Sequence, residues 1–582
     1  MAFLNTSTLL YLASVYIAYG VGLVIYRLYL SPLSRFPGPK LAAATLWYEC
    51  YYDVARRGKY TFKIAMMHEK YGPIIRINPY ELHVNDPEFY DELYVHGSVR
   101  RTEKFLWDLR MFGRATSTFG TPEHELHRIR RATLSPYFSK ASVQQLEPVV
   151  QLMVDKLVSR LEKLQGSAAI LNLLDVFSAL TGDVIGQYAF AKPLGLLDKP
   201  EFAPQWQRAI LDLGENGHML KHFTWMEPLF RSMPLWLVRV MNPQVMPLIE
   251  LQMGFEEQVN GFKADLAKGR KYTGQRTIFY DMIADDQVRP QEKDSEHLRT
   301  EALAIMGAGT ITTAHHLAIV SFHLLENPEI LAKLQAELKT VLPGKNSRLQ
   351  WQQLEQLPYL NAVIMEGLRM SYGTAHRLQR ISPDIALQYK EWTIPVGTPV
   401  GMTTLLLHNN PDTYPNPRKF DPNRWLQPSA SRLGKYMVAF SKGSRQCLGM
   451  NLAYCEIYLT IAAIFAPGRF KLENYETTAR DTQPAHDFLI LAFLRIQRVS
   501  GLPSAETGTW AIFSTSLGKV LLLSRCTKKV QFFLRDLLSL LVIIGHHLFK
   551  QGKCVDEQDT EVKPHWLEES LSKPIYDIAG SW

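Results

Sequence analysis

Hydrophobic residues recur every three or four positions over long stretches of the chain, a spacing that predicts a mainly helical protein. Residues 144–164 show this pattern clearly, and residues 330–341 and 359–370 repeat it in shorter segments. The segment 298–326 is mostly apolar and has no Asp, Glu, Lys or Arg between positions 302 and 321. We therefore expect a long helix there that is buried on nearly all sides.

Strand patterns are fewer and shorter. They occur at residues 74–77, 386–389 and 393–395, and a proline-rich irregular stretch follows at 410–424. The cysteine-containing segment after it leads into another helical pattern at 448–464. The predicted fold class is therefore mainly α with small β-sheets.

The N-terminus predicts a membrane anchor. Residues 8–26 are nearly all apolar, and basic residues follow by position 40. About 20 apolar residues span a bilayer as a helix, and the basic residues favour the cytosolic side. A cleaved signal peptide is the alternative, but neither a preceding basic residue nor a small-residue cleavage site is clear. We predict a transmembrane anchor at 1–30 and a Pro-rich linker at 31–40.

Composition narrows the class of protein. The 582 residues are 46% hydrophobic and 21% charged, and 64 basic against 56 acidic side chains give a net charge of +8. No dense Lys/Arg block is present, so we expect no nucleic-acid partner. The five cysteines are scattered without a CxxC pair, which argues against a disulfide framework or a zinc site.

One cysteine stands in a distinctive segment, 440–449, with the sequence FSKGSRQCLG. Cys447 immediately precedes the predicted helix 448–464. Unpaired N–H groups and the helix dipole at a helix start favour a thiolate over a thiol. A buried structural cysteine is the alternative, and it would suit an isolated Cys better than this ten-residue pattern.

The segment 440–449 resembles the cysteine-loop signature of the cytochrome P450 family, with every fixed position present. The resemblance implies that Cys447 is the axial ligand of haem b (iron protoporphyrin IX), where a thiolate promotes O–O bond cleavage. Gly443 and Gly449 would allow a turn and a close approach to the haem ring. Phe440 would shield the sulfur, and Arg445 would bind a haem propionate.

Two further motifs match the same family. Glu366 and Arg369 lie three residues apart on a predicted helix and resemble its E-x-x-R motif, with Arg424 as the third member of a structural triad. Alone, such a pair is usually a surface ion pair. Its order relative to Cys447 supports the resemblance.

Basic residues upstream resemble the family's propionate-binding positions. His127 and Arg131 lie four apart in the segment 124–138, with His127 where Trp is common, and Arg380 follows the E-x-x-R helix. A solvated basic face is the alternative for these residues.

The central helix carries a segment, AGTITT at 308–313, that resembles the family's oxygen-binding groove. Gly309 would leave room beside the iron, and Thr312 would bind dioxygen and help to deliver protons. Ile311 stands where the family usually has Asp or Glu. That departure keeps two alternatives open: a haem-thiolate isomerase or dehydratase that needs no external electrons, and a non-catalytic haem-binding protein.

The resemblance implies the cytochrome P450 fold, with haem between the long central helix and the cysteine-loop helix. Residues from 27 onward are similar to fungal microsomal members near trichodiene oxygenase, which implies a monooxygenase of secondary metabolism. Its expected partners are NADPH-cytochrome P450 reductase, docking near Lys435 and Lys442, a small apolar substrate of terpenoid or polyketide type, and a membrane. Its expected location is the endoplasmic reticulum membrane, as a single-pass protein with a cytosolic catalytic domain.

The domain boundaries follow from these motifs. We predict a catalytic domain at 41–488 and an atypical C-terminal extension at 489–582, which carries no motif of the family. If the hairpin that usually closes the family's core were lost there, the substrate pocket would be incomplete.

Overall fold

The computed structural model describes residues 6–113, 116–167, 169–241, 243, 246–270, 277–342, 350–488, 490–493 and 498–501. The chain forms two compact units, a larger one of Met1–Met233 and Gln244–Ser504, and a smaller one of Pro234–Pro243 and Ala505–Trp582. Of the smaller unit, the described part is residues 234–241 and 243. The helix Leu235–Met241 belongs to it.

Helices dominate the larger unit, as the three-to-four-residue spacing predicts. Its N-terminal part contains α1 Thr6–Ile25, α2 Lys40–Ala44, α3 Trp47–Cys50, α4 Tyr60–Tyr71, α5 Tyr90–Leu93, α6 Leu106–Leu109, α7 His124–Leu134, α8 Lys140–Leu164, α9 Leu173–Phe190, α10 Pro204–His222 and α11 Met226–Ser232. After α12, Leu235–Met241 of the smaller unit, follow α13 Met246–Ala267, α14 Ile278–Ala284, α15 Ser295–Glu326, α16 Pro328–Val341, α17 Trp351–Leu354, α18 Pro358–Ser371, α19 Thr404–His408, α20 Ala430–Lys435 and α21 Met450–Ile464.

The strands are short and form small sheets. They are β1 Ile74–Arg76, β2 Leu82–Val84, β3 Ile170–Asn172, β4 Arg380–Ile381, β5 Leu387–Tyr389, β6 Trp392–Ile394, β7 Pro399–Gly401, β8 Leu472–Asn474, β9 Pro484–Phe488, β10 Ile490–Phe493 and β11 Arg498–Gly501. The largest sheet has the order β1-β2-β7-β4, and β2 pairs with β7 in parallel, with Leu82 opposite Val400. The mainly α fold with small β-sheets is confirmed.

The chain continues as regular structure past the predicted domain boundary at 488. Strand β9 pairs with β10 as an antiparallel hairpin, with Phe488 opposite Ile490. Strand β11 lies between β3 and β8, so Val499 pairs with both Leu171 and Asn474. The pairing of β11 with β3 joins residues more than 300 positions apart, which a local pattern cannot indicate. The hairpin that we expected to be at risk is therefore present, while the rest of the extension lies outside the described residues.

Helix α15 is the centre of the core. Asp294 caps its N-terminus, since its carboxylate accepts hydrogen bonds from the backbone N–H groups of Glu296 and His297 at 3.0 and 3.3 Å. The helix ends at Glu326, one residue before the sequence Asn327-Pro328, because proline disfavours helical backbone in the preceding residue. It packs along α9 and contacts α13, α18 and α21. The prediction of a long buried helix is confirmed.

Among the residues that the structure describes, two segments are long and apolar enough to cross a membrane, judged by length and composition. In Leu10–Leu30, none of the hydrophobic window is buried, whereas 67% of the window in α15 is buried inside the protein. Helix α15 is therefore accounted for by the core, and α1 with the turn after it is the candidate anchor.

Candidate active site

The loop before α21 is shaped by two close backbone approaches. Gly443 adopts φ +75°, and a Cβ there would collide with the carbonyl oxygens of Tyr94 and Val95. Glycine is required on both counts. The backbone N–H of Cys447 donates to the carbonyl oxygen of Phe440 at 2.9 Å, which closes the loop.

A cavity of about 280 Å³ is lined by this loop and by α15. Cys447, Phe440 and Gly449 line it from the loop, while Gly309 and Thr312 line it from the helix. The Cys447 side chain is exposed to the cavity, although the surrounding protein encloses the site. That enclosure raises the pKa of the Cys447 thiol, whereas the N–H of Gly449 and the Arg131 guanidinium act in the opposite direction.

Basic side chains gather at one end of the cavity. His127, Arg131 and Arg445 line it, as does Lys104, which the motifs did not single out. Arg445 donates to the carbonyl oxygens of Thr121 and Pro122 at 2.7 and 2.6 Å.

Arg131 and Arg380 also donate hydrogen bonds to backbone carbonyl oxygens. Arg131 donates to the carbonyl oxygen of Gln446 at 2.7 Å. Arg380 is buried beside this group over the ring of Tyr94, and it lines a smaller adjoining cavity that also contains Lys104.

These cations lack acidic partners. Among the described residues, none of Lys104, Arg131, Arg380 and Arg445 lies within 4.0 Å of a carboxylate oxygen. Burial, with Arg445 and Lys104 nearby, lowers the pKa of His127 to about 2. Nε of Arg445 is also buried, and no described residue forms a hydrogen bond with it. The site is therefore built for an anion that the protein itself does not provide.

Helix α15 forms one wall of the cavity through Gly309 and Thr312, whereas Ile311 is not part of that wall. The Thr312 hydroxyl donates to the carbonyl oxygen of Ala308 at 2.9 Å and lines the cavity. A Cβ at Gly309 would lie 2.9 Å from Cγ1 of Ile185, so the glycine also permits α15 to pack on α9. Ile311 is buried in the core, 2% exposed, and does not line the cavity.

The predicted triad forms one buried cluster. Nε and Nη2 of Arg369 donate to Glu366 at 2.9 and 2.8 Å, and Nε of Arg424 donates to Glu366 Oε1 at 3.0 Å. The indole N–H of Trp425 donates to Oε2 at 2.9 Å, a contact that the motif did not indicate. His408 extends the cluster, since its Nδ1 contacts the Arg369 carbonyl oxygen and its Nε2 accepts from the Val438 N–H.

Sequence reasoning missed a second buried polar network. Nζ of Lys221 lies 2.8 Å from Glu49 and 2.7 Å from Asp53, and Arg377 bonds to Glu49 and, at 2.8 Å, to Glu81. Glu49, Asp53 and His222 are close enough to hold a metal ion, but the Lys221 ammonium already binds both carboxylates. Lys221 and His222 stand in the last turn of α10, and the sequence around them does not indicate this arrangement.

The network continues towards the C-terminal hairpin. His376 lies between Asp108 and Asp487, with ring nitrogens 2.9 and 3.1 Å from their carboxylate oxygens. Burial would lower the pKa of His376, but the two carboxylates raise it to about 10. The imidazolium therefore holds α6 and β9 together at neutral pH.

The cavity fits a flat, doubly anionic group with a metal at its centre. An exposed thiol offers a metal ligand, and the unpaired cations offer partners for two carboxylates. A Cβ at Gly449 would meet nothing within 4 Å, so open space lies directly above the start of α21. Haem has this shape and charge, and its propionates would complete the basic cluster.

Comparisons with known proteins agree with this geometry. Residues 39–494 match the cytochrome P450 family. The chain is 43% identical over 468 residues to tryptophan 6-hydroxylase fscE of Fusarium equiseti, covering 80% of this chain and 91% of that protein. It is 43% identical over 486 residues to cytochrome P450 monooxygenase oblB of Cochliobolus heterostrophus, covering 81% and 91%.

A third relative is N-acetyltryptophan 6-hydroxylase ivoC of Emericella nidulans, 41% identical over 475 residues, which cover 81% of this chain and 92% of the relative. The family match spans most of the chain, and each of these relatives is matched over more than nine-tenths of its length. The chain therefore belongs to the cytochrome P450 family and is a haem-dependent monooxygenase.

Proposed function

We propose that this chain hydroxylates or otherwise oxidises a small apolar secondary metabolite of terpenoid or polyketide type, with dioxygen and with electrons from NADPH-cytochrome P450 reductase. The observation that carries the proposal is the exposed thiol of Cys447, facing the mostly apolar cavity beneath Gly309 and Thr312. An apolar lining selects ligands by burial of their hydrocarbon surface. Relatives named for tryptophan and N-acetyltryptophan oxidation make an indole body a further possible substrate type.

Cys447 is proposed as the axial ligand of haem b, which supplies dioxygen activation when it is bound. Arg445, Arg131, His127 and Arg380 are proposed to hold its propionates. Lys104 belongs with them, because it lines the same end of the cavity and its ammonium donates to the carbonyl oxygen of Phe119 at 2.6 Å.

Three residues around the thiol have supporting roles in this proposal. Phe440 shields the sulfur, and its position follows from the backbone hydrogen bond that joins it to Cys447. Gly443 sets the tight turn of the loop, and Gly449 leaves the space above α21 free for the ring.

Thr312 is proposed to hold a proton donor in the part of the cavity between α15 and the cysteine loop. Its hydroxyl points along the cavity wall, where it can exchange its bond to the Ala308 carbonyl for one to a ligand. Ile311 supplies no acid and faces the core, so proton transfer depends on Thr312 and on water that it orients. Gly309 has no side chain, so it leaves space in this part of the cavity.

Glu366, Arg369 and Arg424 are proposed to act structurally. Their ion pairs join α18 to the proline-rich segment. His408 joins the same cluster to Val438, in the segment that leads into the cysteine loop. The cluster would therefore fix the position of Cys447 without touching the substrate.

The remaining parts of the proposal concern location. Residues 1–30 would anchor the protein in the endoplasmic reticulum membrane as a single span, residues 31–40 would form a linker, and the catalytic domain would lie in the cytosol. We extend the catalytic domain from the predicted 41–488 to Gly501, because β11 completes a sheet with β3.

The reductase would dock near Lys435 and Lys442, where both ammonium groups are exposed. In the isolated chain they bond to Glu88 and Asp91 at 2.6 Å. Exposed pairs of this kind are weak, so an acidic partner surface can compete for the lysines.

The carbon monoxide difference spectrum tests the ligand. Cys447→Ala is expected to abolish the thiolate-type band, whereas Cys455→Ala, at a buried cysteine eight residues further on, is expected to retain it. A thiolate band in the Cys447→Ala protein would refute the assignment.

Turnover assays then separate the reaction classes. Product formation that needs NADPH, reductase and dioxygen supports a monooxygenase. Product formed without them would instead support an isomerase or dehydratase. A thiolate spectrum without turnover of the metabolite that accumulates on gene deletion would support a non-catalytic haem protein.

A further inference from the structure

Two acidic residues, Glu301 and Glu456, line the active-site cavity, and Glu301 has no role in haem binding. Glu301 is on α15, is 2% exposed, and lines the cavity together with apolar residues such as Phe119, Ala304 and Ile305. A carboxyl group in such a wall is costly unless something bonds to it. Its contacts therefore indicate whether it is structural or functional.

Only one of its two oxygens is occupied. Glu301 Oε2 accepts hydrogen bonds from the backbone N–H of Thr118 at 2.6 Å and from the Thr118 hydroxyl at 2.9 Å. Across the part of the chain that the structure describes, Oε1 accepts no hydrogen bond. The carboxyl is thus held in a fixed orientation by one oxygen while the other is left for a ligand.

The basic side chains near Glu301 bind another carboxylate. His297 Nε2 lies 3.0 Å from Glu292, and 3.9 Å from Glu301 Oε2. Arg130 also donates to Glu292, at 2.9 Å. Glu292 therefore binds both basic side chains, and Glu301 has no cationic partner of its own among the described residues. Burial raises the pKa of Glu301 to about 7, against the lowering effect of the Thr118 hydrogen bonds.

The position of Glu301 also fits a ligand that reaches the reaction centre. Glu301, Ile305, Ala308 and Thr312 recur at helical spacing and line the same cavity. Eight residues separate Glu301 from Gly309, which is about 12 Å along a helix axis. A molecule the size of a terpenoid or a substituted indole can span that distance.

We propose that Glu301 recognises a hydrogen-bond donor, a hydroxyl or N–H group, at the end of the substrate remote from the oxidised carbon. The substrate is then an apolar body with one polar end, held about 12 Å along α15 from Gly309. This inference rests on the proposed function in one respect, that the cavity holds the substrate.

Binding of decanol and its methyl ether tests the proposal, because the two probes share an apolar body and differ in the donor. Equilibrium dialysis of the holoprotein is expected to show about tenfold tighter binding of decanol, the effect of one hydrogen bond to a charged acceptor. In Glu301→Ala the preference should disappear. In Glu301→Gln an amide N–H group would face the cavity, so the ether should bind at least as well as the alcohol.

Glu292→Gln is the matched control, since it alters the same polar cluster without facing the cavity, and it should keep the tenfold preference. Equal binding of both probes to the unmodified protein would overturn the proposal, as would an unchanged preference in both Glu301 variants. The carbon monoxide spectrum of the same samples is read separately. Its absence would count against the haem-thiolate function, whereas the dialysis result bears on Glu301.

Discussion

Replacing Lys221 by Met removes the cation at the centre of the second buried network. The Lys221 side chain is fully buried, and its ammonium lies 2.8 Å from Glu49 and 2.7 Å from Asp53, which are also buried. Methionine matches its length but leaves two carboxylates without their shared partner. Breaking a buried ion pair by removing one member typically costs about 3–5 kcal/mol of unfolding free energy.

The structure places the expected loss near the lower end of that range, at about 3 kcal/mol. Arg377 still neutralises Glu49, and His218 and His222 still lie 3.5 and 3.4 Å from Asp53. The loss should depend on pH. Burial raises the pKa of Glu49, but Lys221 and Arg377 together lower it to about 2.

The sign of the pH effect follows from these pKa values. A carboxyl with a lowered folded-state pKa stabilises the protein above its ordinary pKa and loses that contribution as pH falls. In Lys221→Met the carboxyls instead have raised pKa values, so the penalty is greatest at neutral pH. The difference between the two proteins should therefore shrink as pH falls from about 7 towards 4, and shrink further below about 4.

Urea unfolding of the detergent-solubilised protein, followed by circular dichroism, measures this difference. Lys140→Met is the control, because Lys140 forms an exposed pair with Glu355 and its loss should cost less than about 1 kcal/mol. Adding Asp53→Asn to Lys221→Met should recover part of the stability. A loss no larger than that of Lys140→Met, or one that is constant between pH 4 and 7, would refute the reasoning.

Three further changes test other parts of the structure. His376→Gln should remove a contribution to stability that is complete below pH 6.5 and is lost as pH rises to about 10. The urea midpoints of the two proteins should therefore converge over that interval. Midpoints that stay equally far apart would contradict this prediction. Gly443→Ala should sharply reduce the haem content of purified protein, because of its φ of +75° and the collision with Tyr94; normal haem content would show that the loop can relax. Gly309→Ala should lower stability by about 1–3 kcal/mol through overpacking against Cγ1 of Ile185. A matching Ile185→Ala change, which removes Cγ1, should restore part of it, and no recovery would place the clash elsewhere.

The parts of the fold that sequence predicts are those with a local cause. Helix α15 follows from an apolar run with a capping residue and a terminating proline, and the cysteine loop follows from one ten-residue motif. The strands are mostly two or three residues long, which is too short for a period-two pattern to register. Strand β11 is defined by partners on β3 and β8 rather than by its own residues.

The same distinction applies to the site. Glu366 and Arg369 could be paired from their spacing, since residues three apart on a helix share a face. Lys104 and Glu301 could not be assigned, because neither stands in a motif and each acquires its role from segments far along the chain. For Glu301 one sequence signal exists: it is the last charged residue before the uncharged run 302–321. That position indicates a carboxyl at the edge of the buried face.

The two buried charge clusters of this protein show how a binding site differs from a structural one. Around Lys221, each cation has carboxylate partners within hydrogen-bonding distance, so the cluster is neutralised by the chain itself. Around Arg445, the hydrogen bonds of the cations within the described residues go to backbone carbonyl oxygens, and burial together with these cations lowers the pKa of His127. Unpaired buried charge is costly, and a folded chain retains it where a ligand supplies the opposite charge. The basic cluster therefore indicates an anionic ligand, whereas the Lys221 network, although it contains more charged groups, is explained by folding alone.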